Sequence, residues 1–269
     1  MLDPRKRKYS FIAGLPRSGS TVLCNILEQN PRFRCDGVTS GLLDVMVSVR
    51  DGWDQIASFK NWEIPETKKR VLREIFYSFY ADSEHPVVFD KGRGWVAHIE
   101  MLETLLGHEV KILVPVRDMR AIIASWEKIW RKNKDLSPSN IPVASMQSVE
   151  ERAKFWSSPG EPTGWAYLAL KDAIQRGFEN RMLFIDFDRF THSPENQMRR
   201  IYDFLGEEYF RHDFDHIEQR NLEKDPMPWM KDLHKTRRKL EPMASDWQKI
   251  LGPAVENLAE ANNLWLHRV

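Results

Sequence analysis

Four short apolar runs punctuate the chain, and between them apolar residues recur at helical spacing. Tyr9 to Ala13, Val87 to Asp90, Val110 to Val116 and Met182 to Asp186 are continuous rather than alternating. That pattern predicts strands buried on both faces. Pro115 is tolerated near the end of the third run. Residues 18–29 carry Val22, Leu23, Ile26 and Leu27 on one face and stop before Pro31, which predicts a helix. Helices are also predicted over 42–60 and 66–81, the second from Val71, Leu72, Ile75, Phe76 and Phe79. Others follow over 96–106, 119–132 (capped by Asp118), 149–157, 164–177, 194–205 and 247–262. The Ser- and Pro-rich residues 135–148 predict a surface loop. Residues 220–244 are charged and aperiodic.

Buried strands alternating with helices predict an α/β fold of three layers, a central parallel sheet flanked by helices. Ligands of such sheets sit beyond the carboxyl ends of the strands. The loops after Ala13, Asp90 and Val116 therefore surround one expected site.

Composition narrows the class. The chain has 269 residues, enough for one domain with a full core. It is 42% hydrophobic and 29% charged, as a folded protein is. A net charge of +1 lacks the basic excess of proteins that wrap nucleic acid. Two cysteines, Cys24 and Cys35, read as reduced thiols. No leader pattern and no apolar run of membrane-spanning length is present, so a cytoplasmic location is expected. The basic run Arg5 to Lys8 reads as a solvated end before the first strand.

The stretch FIAGLPRSGSTVLCNIL reads as strand, tight loop and helix. Gly14 and Gly19 have the spacing of the glycines in a Walker A loop, and Thr21 stands where that motif has Ser or Thr. Backbone N–H groups of such a loop converge on an anion at a helix N-terminus. The Walker lysine position is Ser20, and the cation is Arg17 instead. This loop suits an anion other than magnesium ATP. A bare glycine turn with an exposed arginine is the competing account, and the agreement of strand, loop, hydroxyls and helix weighs against it.

The stretch KILVPVRDMRAIIASW ends a strand with Arg117 and starts a helix that carries Ser125 two turns along. An arginine fork with a hydroxyl suits a phosphate monoester. Arg117 paired with Asp118 is the ordinary alternative.

Together these stretches resemble the sulfotransferases that use 3′-phosphoadenosine 5′-phosphosulfate (PAPS), in the arginine form of the tyrosylprotein and several bacterial enzymes. MLFIDFDRFTHSPENQMRRIYDFLG is similar to the family's late strand and following helix, with Phe187-Asp188 where Tyr-Glu is usual. The likeness spans about residues 9–206, a cofactor-binding core, with 207–269 as a closing segment of one domain. It implies that Pro16, Arg17, Ser18, Gly19, Ser20 and Thr21 hold the 5′-phosphosulfate. Arg117 and Ser125 would hold the 3′-phosphate. Lys91 aligns with a lysine that stabilises the transferring group. Lys235, Arg237 and Arg238 are candidates for the late basic segment that closes over the cofactor. Trp165 or Tyr167 could stack on adenine or belong to the core.

No metal is expected, since no His/Cys cluster has ligand spacing. The acceptor's general base is open among Asp36, Asp44 and His98, each of which also has an ordinary structural role. The acceptor itself (small molecule, sugar, lipid or peptide) and the oligomeric state are not readable. A P-loop small-molecule kinase and a catalytically inactive nucleotide-binding protein are the alternatives.

Overall fold

The computed structural model describes residues 2–60, 64–136, 146–225, 227–242, 246–253, 255, 257, 263–265 and 267–268. Five strands form one sheet: β1 (Lys8–Ile12), β2 (Phe33–Arg34), β3 (Val87–Lys91), β4 (Ile112–Val116) and β5 (Met182–Asp186). Their order is β2-β3-β1-β4-β5, and every neighbouring pair is parallel. The expected α/β architecture is the observed one.

Alternation along the strands divides the core in two. Phe11, Val88, Ile112 and Val114 face one layer, where they meet Leu72 and Phe76 of α4 (Pro65–Phe79), Leu102 of α5 (Ile99–Leu106) and Ile122 of α6 (Met119–Asn133). Ile12, Phe89 and Leu113 face the other. There they meet Leu23 and Ile26 of α1 (Ser20–Leu27) and Met198 and Ile201 of α10 (Pro194–Leu205). Burial on both faces is why these strands read as continuous apolar runs.

Several boundaries differ from expectation. The helix predicted over 42–60 is two, α2 (Leu42–Trp53) and α3 (Ala57–Lys60). A 3-10 turn, Arg93–His98, precedes α5, where one helix from 96 was expected. Two elements were not anticipated: the two-residue strand β2, and α9 (Phe187–His192), which leaves β5 without a connecting loop. The helices α7 (Val149–Trp156) and α8 (Pro162–Gln175) lie close to prediction. The predicted 247–262 helix begins as α11 (Trp247–Ile250), which stops before Gly252-Pro253, and Pro253, Val255 and Asn257 are helical again. Much of the remainder predicted to 262, and the loop at 137–145, lies outside the described residues.

The aperiodic stretch after α10 is an irregular strap held by specific bonds. Ile217 N–H donates to Arg238 O at 2.5 Å and Leu240 N–H to Phe214 O at 2.8 Å. The Gln219 side chain ties His234 O at 2.8 Å and Thr236 N–H at 3.0 Å. Asn25 on α1 donates to Thr236 Oγ1 at 3.2 Å, fastening the strap across the end of the sheet. No helix among the described residues is long and apolar enough to cross a membrane.

Candidate functional site

The central strand β1 has neighbours on both sides, and the chain turns at its carboxyl end into a loop that crosses a cavity of about 520 Å³. Close approach shapes this loop. A Cβ on Gly14 would lie 2.1 Å from Pro115 O, so only glycine lets β1 and β4 end so near each other. Ser18 Oγ lies 2.5 Å from Leu15 O and 2.8 Å from Pro115 O, and its one proton, shared between these carbonyls, fixes the loop from beneath. Its hydroxyl is thereby spent inside the protein, and Ser18 does not line the cavity. Arg17 (φ 61°) and Gly19 (φ 84°) are both left-handed, so the backbone curls before α1. Gly19 caps α1 with no side-chain bond, leaving the first N–H groups available to a ligand.

Cations reach the cavity from three strand ends. Arg17 stands on the loop after β1, with Nε donating to Ser125 Oγ at 3.0 Å and Nη1 to Leu233 O. Burial, reinforced by the charge of Arg117, lowers its pKa to about 10, so it is still a cation at neutral pH. Arg117, at the end of β4, donates to Asp188 at 3.1 Å and lies 5.0 Å from the Phe187 ring centre. Asp118 instead caps α6 and pairs with Arg120, so the ordinary Arg117–Asp118 pairing is not formed. Lys91 ends β3, and its Nζ donates to Thr21 Oγ1 at 3.2 Å and Gly37 O at 2.9 Å. Pro16, Ser20, Thr21, Ser125, Lys235 and Arg237 also line the cavity.

The strap brings two groups that sequence patterning missed. Glu223 Oε2 accepts from Lys91 Nζ at 3.1 Å, and His234 Nδ1 lies 3.6 Å from the same carboxylate oxygen. Burial works to raise the Glu223 pKa. Lys91, the Thr39 hydroxyl and His234 together outweigh it and hold the carboxyl below the usual range. Burial, with Lys91 and Arg17 adding to it, lowers the His234 pKa. His234 is therefore neutral at pH 7. Neither residue had a local signal, because the strap has no periodicity and charged residues throughout.

Other sequence candidates lie elsewhere. Asp36 pairs with Arg34 at 3.1 Å, Asp44 is exposed on α2, and His98 Nδ1 lies 3.2 Å from Gly94 O. None of the three lines the cavity, nor do Trp165, Tyr167 or Arg238. Tyr167 instead meets Trp265 edge-on, with ring centres 6.5 Å apart. Aromatic lining comes from Phe187 and from Trp126, whose indole N–H donates to Thr163 Oγ1 at 3.0 Å. Phe187 was within reach of sequence reasoning, since it directly follows a strand's carboxyl end. Among the described residues, no group of three or more His, Cys, Asp or Glu is placed to hold a metal.

Converging cations repel one another, so this cavity is preorganised for an anion with charge at more than one point. The model of the Sulfotransferase family matches residues 10–211. A putative protein-tyrosine sulfotransferase of Caenorhabditis briggsae is 25% identical over 226 residues, 80% of this chain and 71% of the relative. Protein-tyrosine sulfotransferase A of Caenorhabditis elegans is 24% identical over 75% of this chain, which spans half of that relative. The sulfotransferase domain of the Synechococcus PCC 7002 olefin synthase superposes with a TM-score of 0.58 at 18% identity, covering 95% of this chain and 94% of that one. The sulfotransferase domain from the curacin biosynthetic pathway gives 0.57 at 13% identity, covering 95% and 97%. These two likenesses concern the fold.

Proposed function

From the premise that this chain belongs to the Sulfotransferase family and is a sulfotransferase, we propose that its donor is PAPS and its acceptor a hydroxyl or amine. The observation that carries this reading is the meeting of Arg17, Lys91 and Arg117 in one cavity. The donor supplies a sulfuryl group whose leaving group is a phosphate.

The residues present fit such a donor. The α1 N-terminus and the hydroxyls of Ser20 and Thr21 would hold the phosphosulfate end. Arg117 and Ser125 would hold the 3′-phosphate, with Asp188 keeping the guanidinium oriented. Lys235 and Arg237 add charge from the strap. Arg17 and Lys91 would stabilise the negative charge of the departing group, which is the main catalytic demand of such transfers.

Glu223 is our choice for the general base, in place of Asp36, Asp44 and His98. It is the carboxylate at the Lys91 end of the cavity, and its lowered pKa keeps it ionised and able to take the acceptor's proton. The neutral His234 behind it can receive or relay that proton. The buried thiols Cys24 and Cys35 are unpaired, in keeping with a cytoplasmic location.

The test is calorimetric titration with adenosine 3′,5′-bisphosphate, on the wild type and on Arg117→Ala. Binding that the substitution weakens by about 1.5–3 kcal/mol, the scale of a lost charged hydrogen bond, supports the donor site. Absence of binding to the wild type, with stabilisation by ATP instead, would turn the reading toward a P-loop kinase.

A further inference from the structure

Every cation so far described in the cavity from the core of the fold has a partner within the protein. Arg93 does not. Its side chain lines the same cavity, yet among the described residues its guanidinium makes no hydrogen bond and no ion pair. Arg93 is exposed to solvent at the cavity, and neighbouring protein lowers its pKa by desolvation, only partly offset by the field of Glu223. A guanidinium in a cavity wall whose five donors take no protein acceptor is able to bind an anionic group there.

The backbone that presents Arg93 is fixed. Gly92 N–H donates to Ile12 O at 3.0 Å, joining the turn to β1. Trp95, fully buried, donates its indole N–H to Asp90 at 2.6 Å. Tyr80 and Ser40 donate to the same carboxylate at 2.6 and 3.0 Å. A Cβ on Gly94 would fall 2.4 Å from Leu43 Cδ2, so the turn is also packed against α2.

Strand order assigns Arg93 to one side of the site. The anion loop follows β1, and Arg117 with Ser125 follows β4, so the donor proposed above would extend from β1 toward β4. Arg93 follows β3, on the opposite flank of β1, two residues beyond Lys91. An acceptor approaching the sulfuryl end comes from that flank. Next to Arg93 the surface is apolar: Trp165, 42% exposed, lies 3.4 Å from the Gly94 Cβ position beside Leu43.

We propose that Arg93 anchors a negatively charged group of the acceptor, so that the substrates are hydroxyl or amine compounds carrying a carboxylate or similar anion on an apolar body. This rests on the PAPS-dependent reading above and extends it to the acceptor class.

The experiment is calorimetry on the protein saturated with adenosine 3′,5′-bisphosphate. Matched probes differ only in charge: 4-hydroxyphenylacetate against 4-hydroxyphenylacetamide, and 10-hydroxydecanoate against its amide. At least one acid should bind about ten- to a hundredfold more tightly than its amide, and Arg93→Gln should abolish that preference. Nucleotide affinity should not change in Arg93→Gln. Equal binding within every pair, no binding by any probe, or a preference that survives Arg93→Gln overturns the proposal. Failure of the nucleotide itself to bind wild type overturns the donor reading instead, and the first titration separates the two.

Discussion

Lys91 Nζ and the Glu223 carboxylate meet at 3.1 Å across 132 residues of sequence, joining the end of a core strand to an irregular strap. On the function proposed above, the pair would set a cation for the transferring group beside a base for the acceptor. Glu223→Gln should lower turnover by about 10²–10⁴-fold, the usual share of general-base catalysis. Affinity for adenosine 3′,5′-bisphosphate should be kept or increased, because a negative charge has left an anion site. A merely structural Glu223 would weaken both.

The sign of the pH dependence follows from the same pair. The Glu223 pKa is depressed, so the ionised base is present above its folded value and lost as pH falls through it. The acid limb of kcat against pH should therefore lie below about 4.3, the ordinary glutamate value. A limb above the ordinary glutamate value and below the ordinary histidine value, abolished by His234→Gln, would transfer the base role to His234.

Gly19 combines a left-handed backbone with contact against Phe187. A Cβ there would lie 2.2 Å from the Phe187 ring, and φ is 84°. Gly19→Ala should cost about 1–3 kcal/mol of stability and at least tenfold in nucleotide affinity. Adding Phe187→Leu should recover part of the stability by removing the clash. It should leave the backbone strain, which thermal denaturation of the wild type and the two variants will separate.

Away from the site, Glu127 is fully buried between Arg152, at 2.7 and 2.8 Å, and Arg131, at 2.6 Å. Burial would raise its pKa, but the two guanidinium groups hold it down. Glu127→Ala leaves Arg152 buried without its counter-ion. Urea denaturation should show a loss of about 3–5 kcal/mol.

His212 is buried 3.0 Å from the Tyr202 hydroxyl, and burial lowers its pKa to about 4. Its folded value lies below the unfolded one near 6.5. The stability tied to the neutral ring is complete above that upper value and is lost as pH falls toward 4. Between pH 7 and 4 this amounts to about 3 kcal/mol. Denaturation midpoints of wild type and His212→Gln should therefore converge as pH falls, with the variant less sensitive to acid.

Much of the fold was legible because its strands are buried on both faces. Runs such as Ile112–Val116 carry their own signal, and strand–helix alternation then implies a parallel sheet. The boundaries that failed had tertiary causes. The strand β2 is two residues long and exists through its pairing with β3. The predicted 42–60 helix is interrupted between Trp53 and Ala57, although its periodicity gives no sign of a break.

The same division runs through the site. Arg17, Thr21, Lys91, Arg117 and Ser125 were visible from sequence because each lies at a strand end or in the helix directly after one, where local pattern and ligand geometry coincide. Local sequence therefore marked the anion loop and the cations, while their order across the sheet, Lys91, Arg17 and then Arg117, came from strand pairing. Which carboxylate faces them was decided by tertiary structure alone. Glu223 and His234 arrive on a strap whose course depends on side-chain bonds such as Gln219 to His234 and Asn25 to Thr236, and long-range bonds of that kind leave no periodic trace in the chain.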